Sequence, residues 1–318
     1  MEDHKVIEFI PGDRLSYSTT LIKVLCNGHK IGVASGFVAK FGQHYGLVTN
    51  WHVVAGRNPL TNKIISSHAA IPDAIDFHVT VVTEEDVPEG RSTAMFFKGV
   101  TLPLQNEDGS DVWIGLEEKE YRNDVVMIPL NNHIPELSNS NSFLGHINVG
   151  LVTLENDVAP MTEVNGSMLK FFYPRVGRDV FILGYPRGVD FSGIFPIWKR
   201  GSVASEPQAH ITSNGVTYTN LIYVDALTKE GMSGAPVVTF PREHDYMVTD
   251  QGGRVVMNDD RPIFIGVYAG RDGVTQEEYE FSLGRVWKAA TVAQLFMRAP
   301  HNVKITEVRR SRQSADKI

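Results

Sequence analysis

The chain has 318 residues, 42% of them hydrophobic and 21% charged, with a formal net charge of −7 and a pI near 5.9. The acidic balance argues against nucleic acid as a main partner, and no apolar run is long enough to cross a bilayer, so no membrane association is expected. Met1 to Asp13 lacks the apolar core of a signal peptide, and the single cysteine, Cys26, fits a reducing compartment; a cytoplasmic location is expected.

Short strands dominate the pattern in chain order. Leu21–Cys26 and Lys30–Val33 flank Asn27-Gly28, a dipeptide that accepts the positive φ angles of a tight hairpin. Tyr45–Thr49 follows a glycine turn at Gly42, and further runs come at Phe77–Val82, Met95–Leu104, Asp111–Leu116 and Asp124–Leu130. Arg57–Asp76 reads as a long loop, and Asn131–Ser142, with Pro135 and alternating Ser and Asn, as a linker. Strands resume at Val180–Leu183, Pro196–Ser205, Asn220–Leu227, Ala235–Phe240, Pro262–Tyr268 and Leu283–Trp287, with Pro241–Arg261 expected as an extended hairpin. One helix is expected near the end, capped by Thr291, with Val292, Leu295 and Phe296 at helical spacing. The basic run Arg309-Arg310-Ser311-Arg312 reads as part of a solvated tail.

Two sets of about six strands and a terminal helix fit either a pair of packed antiparallel barrels or a β-sandwich. On the barrel reading, residues 1–17 are an extension, 18–135 an N-terminal β-barrel, 136–298 a C-terminal β-barrel with its helix, and 299–318 a mobile charged tail.

Three local signals carry chemistry. Gly231-Met232-Ser233-Gly234-Ala235-Pro236 lies between two β-runs, where a serine hydroxyl could act as a nucleophile given a base. The glycine two residues earlier lets the Gly231 and Ser233 amides point the same way, as donors for an oxyanion; alone, the hexapeptide could equally be a polar β-turn. His52 follows the apolar strand Tyr45–Thr49 at once, which sets it apart from the other ten histidines, with His44 a poorer candidate. Asp124 directly precedes the wholly apolar Val125–Leu130, where a carboxylate needs a partner such as a histidine Nδ1–H; Asp111 is its rival.

The order His52, Asp124, Ser233, with about seventy and then about a hundred residues between them, resembles that of the chymotrypsin group, and this resemblance implies the two-barrel arrangement. At this point the sequence resembles the trypsin-like serine peptidases, most closely their bacterial, disulfide-free branch. Ala34-Ser35-Gly36-Phe37-Val38 with Thr49-Asn50-Trp51-His52-Val53-Val54, Asn123-Asp124-Val125-Val126, Gly184-Tyr185-Pro186, Asp225-Ala226 with the Ser233 hexapeptide, and Gly284–Trp287 carry the resemblance, which spans roughly residues 18–298.

The resemblance implies an all-β, chymotrypsin-like fold of two packed six-stranded barrels with a short C-terminal helix. It implies a serine endopeptidase acting on protein or peptide substrates, with His52, Asp124 and Ser233 as triad, the Gly231 and Ser233 amides as oxyanion hole, and neither metal nor cofactor. The position that floors the specificity pocket is Leu227, so cleavage after apolar or small residues is expected. Met232 stands where secreted relatives place an acid that pairs with a freed N-terminus, and no peptide-sensing module is expected after the barrels. Narrow specificity or a regulatory protein partner is expected to restrain the activity. The alternative is a catalytically silent protein that holds a peptide or partner in the inter-barrel cleft.

Overall fold

The computed structural model describes residues 13–87, 90–118, 121–149, 162–164, 167–171, 174–190, 194–213, 215–242, 246–249, 254–256, 262–271 and 283–299. The tail beyond 299, the basic run within it, residues 1–12 and much of the stretch expected as a hairpin at 241–261 lie outside them.

A short helix, α1 (Arg14–Ser18), leads into β1 (Thr19–Cys26), β2 (His29–Phe41) and β3 (His44–Thr49). The turn between β1 and β2 uses Asn27 and Gly28 at φ 50° and 75°, the backbone that an Asn-Gly pair adopts at least cost. A single-turn helix, α2 (Trp51–Ala55), follows, then the long hairpin β4 (Ala74–Val87) and β5 (Gly90–Pro103), then β6 (Ile114–Glu117) and β7 (Arg122–Pro129). These strands form one sheet in the order β5-β4-β1-β2-β3-β7-β6, and a bridge between Gln105 and Asp111 draws its two ends together. Within the stretch expected as a linker, Pro135–Ser138 forms a tight helical turn. Beyond it β8 (Ser142–Leu144) and β9 (Ile147–Asn148) pair back onto β4 and β2.

The second half contains β10 (Thr162–Val164) and β11 (Ser167–Phe171), then β12 (Asp179–Gly184), β13 (Ile197–Val203), the small hairpin β14 (Ile211–Ser213) and β15 (Val216–Tyr218), and β16 (Leu221–Asp225). It continues with β17 (Pro236–Thr239), β18 (Tyr246–Thr249), β19 (Arg254–Val256), β20 (Ile263–Arg271), β21 (Leu283–Lys288) and α3 (Ala289–Arg298). Six of these close into a barrel in the order β12-β13-β16-β21-β20-β17. A closed antiparallel barrel beside a second, curled sheet, finished by one helix, is the chymotrypsin-like architecture. No helix among the described residues is long and apolar enough to cross a membrane.

Period-two alternation explains why the strand runs are so uniformly apolar. On β7, Val126 and Ile128 enter the core of the first sheet with Ile22, Val38 and Leu47. Val125 and Met127 face the other way, into a shared layer with Phe264, Val267, Trp287 and Leu295 from the second half. Phe37 and Phe264 meet in that layer with ring centroids 5.2 Å apart. Both faces of β7 are therefore buried, and the layer between the halves holds β7 in place at the cleft.

The start of α3 differs from expectation. Lys288, not Thr291, occupies the cap position, and Thr291 lies buried inside the helix. The Lys288 ammonium, itself buried, donates to the Thr219 carbonyl at 2.8 Å, so a tertiary contact sets the helix start where local propensity favoured the hydroxyl.

Candidate active site

Asp124 shares the core-directed face of β7 with Val126 and Ile128 but sits at the rim, where α2 crosses the end of the sheet. It is 1% exposed. Its Oδ1 accepts the His52 backbone N–H at 2.9 Å, and its Oδ2 lies 2.7 Å from His52 Nδ1. A carboxylate has no proton to give, so Nδ1 carries the hydrogen and Nε2 is left as the free acceptor. Asn50, buried at the head of α2, donates its side-chain amide to the Asp124 carbonyl at 2.6 Å. The α2 turn ends at Gly56, whose N–H returns to the His52 carbonyl. The imidazole is thus held from the ring, from its own backbone and from both ends of its short helix.

Asp111 takes part in the bridge to Gln105, and His44 opens β3 at the end away from α2. The structure brings Asp124, and not its rival, to His52.

Ser233 stands on a turn flanked by two glycines with positive φ, Gly231 at 90° and Gly234 at 87°. A side chain on Gly231 would run into the Tyr185 carbonyl, and one on Gly234 into the Ser35 carbonyl and the Thr49 hydroxyl. Only glycine allows this close approach at both positions. The Ser233 carbonyl accepts the Ser35 N–H at 2.8 Å, the Gly234 N–H donates to the Tyr268 carbonyl at 2.9 Å, and Met232 is buried in the core of the second barrel. His52 and Ser233 line the same cavity. Among the described residues no hydrogen bond joins the two side chains, a contact that in substrate-free hydrolases is commonly long.

Two features of the turn were not read from the sequence. The Glu230 carbonyl accepts the Arg187 N–H at 2.6 Å. Because the peptide is trans, this turns the Gly231 N–H to the opposite side. The Gly231 carbonyl is held in turn by Ser35 Oγ at 2.7 Å. Arg187 itself sits at φ 53°, in the left-handed region. Leu227 is 57% exposed; its neighbour Thr228 is buried and shares a short hydrogen bond with the Tyr268 hydroxyl.

Ser233, His52 and the buried Asp124 thus gather at the cleft of a chymotrypsin-like fold. Residues 34–243 match the trypsin-like peptidase domain, and the chain belongs to that family. The matched segment contains His52, Asp124 and Ser233. A comparison with curated protein sequences finds no match. Among solved structures, the chain is similar to the Rv3671c protease from M. tuberculosis in its active form, at 16% identity and a TM-score of 0.41, covering 92% of this chain and 85% of that one. It is also similar to Deg5, at 18% identity and a TM-score of 0.39 over 81% of each chain. The MamO protease domain from Magnetospirillum magneticum is similar at 14% identity and a TM-score of 0.38, covering 88% of this chain and 96% of that one.

Proposed function

We propose that the chain is a serine endopeptidase that cleaves peptide bonds through an acyl-enzyme. The observation that carries this reading is the bond from Asp124 Oδ2 to His52 Nδ1, which leaves Nε2 free at a cavity shared with Ser233. In the first step His52 Nε2 takes the Ser233 proton as Oγ attacks the carbonyl carbon. The same proton then passes to the leaving nitrogen as the C–N bond breaks. Water, deprotonated by His52, next attacks the ester and restores Ser233. Asp124 keeps the ring in its productive tautomer and stabilises the imidazolium.

The Gly231 and Ser233 amides are the donors for the oxyanion. Support comes from the neighbouring amides, since those of Met232 and Gly234 are already spent on the Lys229 and Tyr268 carbonyls. The Arg187 contact also aims the Gly231 N–H away from its own chain. Donors placed before the reaction cost no reorganisation during it.

On this reading the substrate is a protein or peptide, met in the cleft between the two halves. Pairing of β8 and β9 with the first sheet supports a boundary between the halves beyond Asn148 rather than at 135. The test is a fluorophosphonate probe followed by mapping of the labelled residue. Ser233 is expected to carry the label and Ser233→Ala to lose it. A folded wild-type chain that takes no label would instead favour a silent protein that only binds in the cleft.

A further inference from the structure

The cavity at the cleft is one-sided. It measures about 180 Å³, and among the described residues Ser233 is the only one of the second barrel that lines it. The remaining walls come from the first sheet: β2 at Ile31 and Val33, the α2 turn at His52, and the segment after it at Ile65, Ala70 and Pro72. No lysine, arginine, aspartate or glutamate is among the described residues lining it.

The catalytic geometry gives this recess a direction. The carbonyl under attack has its oxygen at the Gly231 and Ser233 amides, which belong to the second barrel. The group being expelled must receive its proton from His52 Nε2, so it leaves on the side of His52. A recess walled by His52 and the first sheet therefore lies on the leaving-group side. On the second-barrel side, a methyl group on Gly270 would lie 4.0 Å from Ser233 Oγ.

We propose that this recess binds an apolar side chain at one of the first two positions after the scissile bond, so that the enzyme selects peptides by their leaving side. The inference rests on the hydrolase reading above. The rim agrees with it: Ile31 and Ile65, both exposed, line the recess, and the exposed Ile71 stands between its lining residues Ala70 and Pro72. Clustered exposed apolar side chains mark a binding surface, whereas scattered ones carry no such meaning.

The recess is also built in advance. The Ile65 N–H donates to the Gly56 carbonyl at 2.9 Å, the Asn58 N–H to Lys63 at 2.8 Å, and the Asp73 N–H to the Leu25 carbonyl of β1 at 3.0 Å. Arg57 and Ile64 form a further bridge across the segment. A wall tied to itself and to the sheet loses little entropy when a ligand side chain enters.

The experiment exposes the full-length chain to a diverse peptide library, reads cleavage by mass spectrometry and tabulates residues on both sides of the cut bond. Fluorophosphonate labelling, whose leaving group is only fluoride, runs in parallel. Leu, Ile, Val, Met or Phe is expected to outrank Asp and Lys by about tenfold at one of the two positions after the bond. Ile65→Asp, at an exposed site that tolerates charge, is expected to let Lys and Arg gain on Leu there by about tenfold, and Ile31→Lys to favour Asp and Glu instead. A chain that labels at Ser233 but shows a flat profile after the cut bond overturns the recess alone, as does a ranking that neither substitution alters. A wild-type chain that neither labels nor cleaves overturns the hydrolase reading and the recess with it.

Discussion

Ser35 Oγ donates to the Gly231 carbonyl at 2.7 Å and accepts the Tyr185 N–H at 3.0 Å. One fully buried hydroxyl on β2 thus joins two turns of the opposite barrel, across 196 positions of sequence in the first case. The Gly231 carbonyl it holds belongs to the peptide between the two that carry the proposed oxyanion donors. Ser35→Ala would leave a buried carbonyl and a buried N–H without this partner, at a cost of about 1–3 kcal/mol. The expected outcome is a lower melting temperature together with slower labelling at Ser233. Thermal unfolding and probe kinetics on the same sample check it, and a variant that labels at the wild-type rate would remove Ser35 from the positioning role.

Asp124 and Asp111 separate cleanly by substitution. Asp124→Asn keeps the shape but removes the acceptor that sets the His52 tautomer, and a drop of about 10⁴-fold in turnover is expected. Asp111→Asn, away from His52, is expected to change turnover little. His52→Ala is expected to abolish labelling nearly as completely as Ser233→Ala. Steady-state cleavage of any peptide found in the library decides it, and the reverse ranking of the two aspartates would assign the wrong acid.

The parts of the site that were legible in the sequence share a physical cause. Asp124 stood out because β7 buries both faces, so a carboxylate at its head had to be paired. Ser233 stood out because its turn needs two glycines where side chains would strike Tyr185, Ser35 and Thr49. The hairpin at Asn27-Gly28 was legible from its backbone requirement. The β14–β15 hairpin carries the same Asn-Gly signal at residues 214 and 215. What could not be read were contacts that do not depend on side-chain identity. The Arg187 N–H would reach the Glu230 carbonyl from almost any residue, so no letter of the sequence announces it. The recess was equally hidden, because its walls are small or apolar residues drawn from three separate segments.

Cleavage after lysine or arginine is expected to be disfavoured. The loop leading into Ser233 buries Thr228 against the Tyr268 hydroxyl, and the positive charges of Arg271 and Arg285 bear on that same tyrosine. A basic side chain entering there would meet like charge and lose its hydration without a paired anion. The library profile read on the acyl side checks this, and dominance of Arg before the cut bond would show an acid reaching the site from a segment outside the described residues, such as Glu277–Glu280.

Acid sensitivity of the fold should pass through His78. Burial pushes its pKa down to about 4, with Asp190 raising it and Lys23 lowering it further; its ring packs edge-on to Phe97, and Thr20 Oγ1 lies 3.4 Å from Nδ1. Unfolding returns the group to about 6.5, so between these values the unfolded chain binds more protons and stability falls as pH drops. Above about pH 6.5 the group is neutral in both states and has no effect. Melting temperature is therefore expected to decline from about pH 6.5 to pH 4, and His78→Gln to flatten that decline by up to roughly one proton. An unchanged slope in the variant would place the sensitivity elsewhere.

The nucleophile turn is expected to need no cut that frees a new N-terminus. Where such a cut activates a relative, the new amine pairs with an acid beside the serine; here that position is Met232, 1% exposed and packed in the second-barrel core. A thioether cannot form the pair. The turn is held instead by contacts already made: Ser35 to Gly231, Arg187 to Glu230, and Gly234 to Tyr268. Full-length protein should therefore react with the fluorophosphonate at once, and a version trimmed to begin at Ser16 should react at the same rate. Met232→Asp would bury a charge without a partner and is expected to cost several kcal/mol, lowering the melting temperature rather than improving labelling. Labelling that appears only after trimming would overturn the claim. Full-length protein that stays silent until a second protein is added would shift control of the turn to that partner.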